Sequence, residues 1–67
     1  MIEVVINGSP REIPENLNIK ALLEFLQLPT NRVAIEHNRS IVSKTDWESV
    51  VVAAGDRLEI VQFVGGG

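Results

Sequence analysis

The chain has 67 residues, an apolar fraction of 45% and a net charge of −3, which describes one globular domain with a thin core and argues against disorder. It contains no cysteine, so disulfide staples, thiolate metal sites and thiol nucleophiles are excluded. Its acids are scattered and no basic patch is available to neutralise phosphates, which argues against a nucleic-acid partner.

A core this small leaves little space for the roughly 300 Å³ that a small-molecule pocket needs, so an autonomous enzyme is disfavoured. The first residues, Met1, Ile2, Glu3 and Val4, lack the charged and apolar regions of a signal peptide. The longest apolar run, 50–54, is far short of a membrane span. A cytoplasmic protein with no membrane partner is expected.

Ile2, Val4 and Ile6 alternate with Glu3 and Val5, the period of a half-buried strand. Asn7 and Gly8 follow, a pair suited to the two positive-φ positions of a tight hairpin turn. The run 9–13 should therefore return as a second strand. Pro10 lacks an N–H and places that strand at a sheet edge. From Asn18 the period changes to that of a helix. Ile19, Leu22, Leu23 and Leu26 form one apolar stripe, and Asn18 is a suitable N-cap. Leu28 and Pro29 are expected to stop a helix spanning 18–27.

Val33, Ala34 and Ile35 open a third strand, 37–40 is polar and turn-like, and Ile41 and Val42 give a short fourth. The segment 43–48 reads as an irregular crossing with room for one helical turn. Val50 to Val52 form an apolar patch whose state the pattern leaves open. Ala54, Gly55 and Asp56 mark a turn. A last strand over 58–64 runs into Gly65, Gly66 and Gly67. One amphipathic helix and about five short strands imply an α+β domain, the helix covering one face of a mixed sheet.

This order resembles the ubiquitin-like β-grasp fold and, within it, the ThiS family of thiamine-pathway sulfur carriers. The residues that carry the resemblance begin with Asn7 and Gly8, the helix segment Ile19, Lys20, Ala21, Leu22 and Leu23, and then Val33, Ala34, Ile35, Ile41, Val42 and Trp47. They continue through Gly55, Asp56, Arg57, Leu58, Glu59, Ile60 and Val61 to Val64, Gly65, Gly66 and Gly67. Family members commonly finish with two glycines, whereas Gly65 makes three here. The resemblance implies a β-grasp body, 1–64, and a glycine tail, 65–67. It also implies a C-terminal carboxylate on Gly67 that an E1-like adenylyltransferase of the ThiF type activates with ATP and magnesium. A persulfide donor then converts the adenylate to a thiocarboxylate, and thiazole synthase of the ThiG type consumes the sulfur. No cofactor or metal would be held by the carrier itself. Two related readings share this terminus: the small subunit of molybdopterin synthase, which usually carries prolines before its glycines, and a ubiquitin-like protein modifier.

The tail suits such a cycle physically. Four extended residues from Val64 reach about 13–14 Å, enough to thread a narrow channel while the body stays outside. Glycine lets a channel wall approach the backbone closely. Ordering each residue costs roughly 1–2 kcal/mol, which opposes permanent trapping. Specificity then falls to the body. Alternation along the last strand puts Leu58, Ile60, Gln62 and Val64 on one face and Val61 and Phe63 on the other. Val61, Phe63 and the departing Val64 are the expected partner-binding residues.

Several residues take plainer readings. His37 has no metal-ligand spacing to another histidine or paired acid and reads as a turn residue. Trp47 reads as a lid on the thin core, and Phe25 as a core residue on the helix flank. Asp46 and Glu48 have no nucleophile or base beside them and read as solvated. Arg39 and Arg57 read as exposed charges.

Overall fold

Strand β1 (Ile2–Ile6) turns through Asn7 and Gly8 into β2 (Ser9–Ile13) in a computed structural model that describes residues 1–63. Both turn residues have positive φ, 51° and 82°, the type I′ pair whose twist matches hairpin strands. An added Cβ at Gly8 would meet nothing within 4 Å, so backbone angle and not crowding selects glycine there. The five strands lie in the order β2-β1-β5-β3-β4. Pro10 pairs opposite Val5 on the outer strand β2, where its missing N–H breaks no central ladder.

Helix α1 covers Ile19–Phe25. Asn18 caps it, its Oδ1 accepting the Ala21 N–H at 2.7 Å. The helix ends before residue 27, and Pro29 is not the cause. Gln27 adopts φ 60°, its N–H reaches Glu24 C=O, and the Leu28 N–H reaches back to Leu23 C=O, both at 3.0 Å. This pair of bonds is a Schellman closure, which satisfies the last carbonyls before proline is reached. Ile19, Leu22 and Leu23 are fully buried against Val4, Ile13, Ile35, Val52, Leu58 and Ile60. Phe25 is a correction: it is exposed, because it lies roughly 110° around the helix from the centre of the stripe.

Strands β3 (Val33–His37) and β4 (Ser40–Val42) form a second hairpin. Its turn is Asn38 and Arg39, with φ 50° and 73°, so His37 is the last residue of β3 and not a turn residue. A single 3₁₀ turn, Lys44–Asp46, follows. Trp47 then closes the core and donates its Nε1–H to Val42 C=O at 3.2 Å. Asp46 and Glu48 are exposed. The open question at 50–52 resolves into one buried residue, Val52, and an isolated bridge between Val51 and Asn18.

Strand β5 (Arg57–Gln62) starts after Gly55 at φ 85° and fills the middle of the sheet. It runs parallel to β1 and antiparallel to β3. It is shorter than the expected 58–64. Val64, the boundary at 64/65, and Gly65, Gly66 and Gly67 lie outside the described residues. No helix among the described residues is long and apolar enough to cross a membrane.

Candidate functional site

Strand β5 leads toward the glycines, so its two faces decide what a partner meets there. Leu58 and Ile60 turn inward and are buried under α1. Glu59, Val61 and then Phe63 turn to the helix-free face, where Val61 is 55% and Phe63 59% exposed. Exposure at two successive apolar positions beside the tail is what a docking surface requires. The Phe63 N–H donates to Arg32 C=O at 2.8 Å and continues the line of β3 pairing past Gln62.

Neighbouring strands extend this surface. Ala34 lies opposite Val61, Glu36 opposite Glu59, and Ile41 opposite Glu36. Ile41 is 79% exposed. A shallow depression of about 100 Å³ is lined by Ala34, Glu36, Ile41, Glu59 and Val61. Two carboxylates directly opposed across a ladder repel and cost stability. Neither Glu36 nor Glu59 is ion-paired among the described residues. The face is therefore apolar with an uncompensated acidic pair in it, a surface suited to an apolar partner patch carrying lysine or arginine.

The strand's entry is held by a polar cluster. His37 Nε2 lies 2.6 Å from Asp56 Oδ2, and Asp56 also accepts the Ala53 N–H and the Asn38 Nδ2–H. Burial pushes the Asp56 carboxyl up, but those hydrogen bonds and the nearby imidazole outweigh it and leave it lowered. Among the described residues no group of three or more His, Cys, Asp or Glu could hold a metal. Cavities of about 190 and 210 Å³ also indent the surface, and both fall below the roughly 300 Å³ of small-molecule sites.

Of the residues singled out in the sequence, Val61 and Phe63 share the exposed sheet face, while Val64, Gly65, Gly66 and Gly67 lie outside the described residues. The sequence pattern does not mark Ile41 or the Glu36–Glu59 pair as part of this surface; the sheet pairing does. A three-residue strand is too short for alternation to tell which way Ile41 points.

The model of the ThiS family matches residues 4–67. A thiazole synthase of Paramagnetospirillum magneticum is 42% identical over 66 residues, covering 98% of this chain and 20% of that protein. The chain thus spans about a fifth of the length of that relative, and the same holds for a second thiazole synthase, from Magnetococcus marinus. The sulfur carrier protein ThiS of Bacillus subtilis is 41% identical over 49 residues, covering 73% of this chain and 74% of that protein. A crystal structure of the thiamine biosynthesis protein ThiS from Geobacter metallireducens superimposes with a TM-score of 0.84. It is 29% identical and covers 98% of this chain and all of that one.

Proposed function

The chain belongs to the ThiS family, and on that premise we propose that it carries sulfur for thiamine biosynthesis on the α-carboxylate of Gly67. The observation that carries this reading is the extent of the family match, which runs from residue 4 through the glycines to residue 67. The body, 1–64, docks, and the tail, 65–67, delivers.

A carboxylate is a poor electrophile because its charge is shared by two oxygens and its leaving group is an oxide. An E1-like adenylyltransferase, using ATP with magnesium, makes the acyl-adenylate and releases pyrophosphate. The terminal sulfur of a persulfide displaces AMP, and a thiol then cleaves the remaining S–S bond and leaves the thiocarboxylate. Thiazole synthase receives the sulfur. Relatives called thiazole synthase that hold a stretch like this chain within one longer polypeptide support that partner. The carrier supplies no acid, base or metal to these steps.

Val61, Phe63 and Val64 are assigned to partner binding. The exposure of Val61 and Phe63 on the helix-free face supports the first two, and Ile41 enlarges the same surface. Intact-mass spectrometry of the protein from sulfur-replete cells tests the proposal. The reading requires a species heavier by the difference between sulfur and oxygen, with fragmentation placing the change on Gly67. A carrier that stays unmodified after incubation with adenylyltransferase, ATP and persulfide donor would refute it.

A further inference from the structure

Strand β1 supports β5 for only part of its length. The Val5 N–H donates to Asp56 C=O and the Asn7 N–H to Leu58 C=O, both at 2.9 Å. Backbone pairing then stops at Ile6 opposite Leu58, because the chain turns away through Asn7 and Gly8. The next inward-facing residue of β5, Ile60, has no β1 backbone beside it. The Asn7 side chain takes that place. Its Oδ1 accepts the Ile60 N–H at 2.7 Å, and its Nδ2 donates to Ile60 C=O at 3.1 Å.

A carboxamide presents a carbonyl acceptor and an N–H donor side by side, so it can satisfy both groups of Ile60 at once. The turn does not demand this. Glycine or aspartate would tolerate φ 51° as well. Past Leu58, β5 is otherwise paired among the described residues only with β3, up to Val33 opposite Gln62 and the Phe63 N–H on Arg32 C=O.

We propose that Asn7 is a positioning residue: its amide clamps β5 at Ile60 and fixes the end of the strand from which the carboxyl-terminal residues follow. This rests on the sulfur-carrier reading, in which the arm's tip must reach a reacting phosphate. Small misplacements of a reacting group are costly, up to about a hundredfold for 1 Å.

The test compares wild type, Asn7→Gly and Asn7→Asp. It measures ATP–pyrophosphate exchange with the adenylyltransferase, and amide hydrogen exchange of the free carrier. Asn7→Gly keeps the turn and should expose the Ile60 amide while leaving Leu58 protected. Its kcat should fall about tenfold, with KM for the carrier within about twofold, because the docking face is untouched. Asn7→Asp keeps the acceptor but not the donor, and should lie between the two. A wild-type kcat in the aspartate and glycine variants, or a loss confined to KM, overturns the proposal. If Asn7→Gly does not fold, the aspartate variant decides alone by the same split. Absence of any exchange with the wild-type carrier would instead sink the sulfur-carrier reading, while unprotected Ile60 in the wild type would remove the clamp.

Discussion

His37 Nε2 lies 2.6 Å from Asp56 Oδ2 and joins the last residue of β3 to the turn that launches β5. An ionised carboxylate only accepts, so the imidazole nitrogen carries the proton. Asp56 Oδ2 also accepts the Ala53 N–H at 2.8 Å, and Oδ1 accepts from Asn38 Nδ2 at 3.2 Å. Asn38 in turn accepts the Arg57 N–H on its own Oδ1 at 2.8 Å. Two turns distant in sequence are thereby laced together, and β5 enters the sheet in a single register.

Asp56→Asn should loosen this joint. The amide oxygen can still accept from Ala53 and His37, which share Oδ2, but the Nδ2–H at the other position would face the Asn38 Nδ2 donor. A cost of about 1–3 kcal/mol at neutral pH follows. The folded-state pKa of Asp56 is lowered, so its contribution is present above the ordinary aspartate value of about 3.9 and is lost as pH falls through the folded value. The gap between variant and wild type should therefore narrow as pH falls from about 5 through the ordinary aspartate value toward the lower folded one. Thermal melts across that range check this; a gap independent of pH would mean the charge contributes nothing.

Gln27→Gly should stabilise the protein. Gln27 occupies the left-handed position of the helix closure at φ 60°, where a Cβ costs about 1–2 kcal/mol. Glycine removes that strain but gives the unfolded chain about 0.4–1 kcal/mol of extra entropy. A net gain of about 0.5 kcal/mol remains. Denaturant unfolding would show a higher midpoint with unchanged slope.

What the sequence reveals depends on how local each cause is. The stripe Ile19, Leu22, Leu23, Leu26 and the Asn7-Gly8 turn are written in adjacent residues, and both form as their patterns imply. The Asn38–Arg39 turn is less legible, because arginine rarely accepts a φ of 73°. Phe25 misleads because an aromatic residue near an apolar stripe invites burial, whereas its angle around the helix forbids it. The pairing of His37 with Asp56 and the grip of Asn7 on Ile60 join residues 19 and 53 positions apart, so no spacing rule reaches them. On the exposed sheet face, alternation separates Val61 and Phe63 from Leu58 and Ile60, but cannot bring Ile41 beside them; that needs the sheet order.

Gly66→Ala tests the tail. In the proposed cycle the tail must enter a channel of the adenylyltransferase, and a Cβ widens it and restricts φ. Pyrophosphate exchange should fall by about tenfold or more while the melting temperature stays within a degree or two. Wild-type exchange would show that the channel tolerates a side chain.

Phe63→Ala separates docking from folding. With most of its ring in solvent, Phe63 contributes little to the core, and its removal should cost no more than about 0.5 kcal/mol of stability. Affinity for the adenylyltransferase should fall by about 1–2 kcal/mol, roughly 5- to 30-fold. Calorimetry of binding beside a thermal melt gives both numbers. Undiminished affinity with a large drop in melting temperature would place Phe63 in the core instead.

Glu59→Gln should move stability and association in opposite directions. Glu59 faces Glu36 directly across β3 and β5, and relieving that repulsion should raise stability by about 0.2–1 kcal/mol. In the proposed cycle the same carboxylate would steer the acidic face toward a basic partner surface, so its loss should slow association at low salt. The difference should vanish once added salt shortens the screening length to about 3 Å. Stopped-flow binding to the adenylyltransferase at two ionic strengths, with a thermal melt of the free carrier, measures both effects. A slower association that persists in high salt would point to lost shape complementarity and not to lost charge. A residue that weakens its own fold while quickening an encounter is explained by the encounter, and the glutamate pair would then be retained for the partner and not for the sheet.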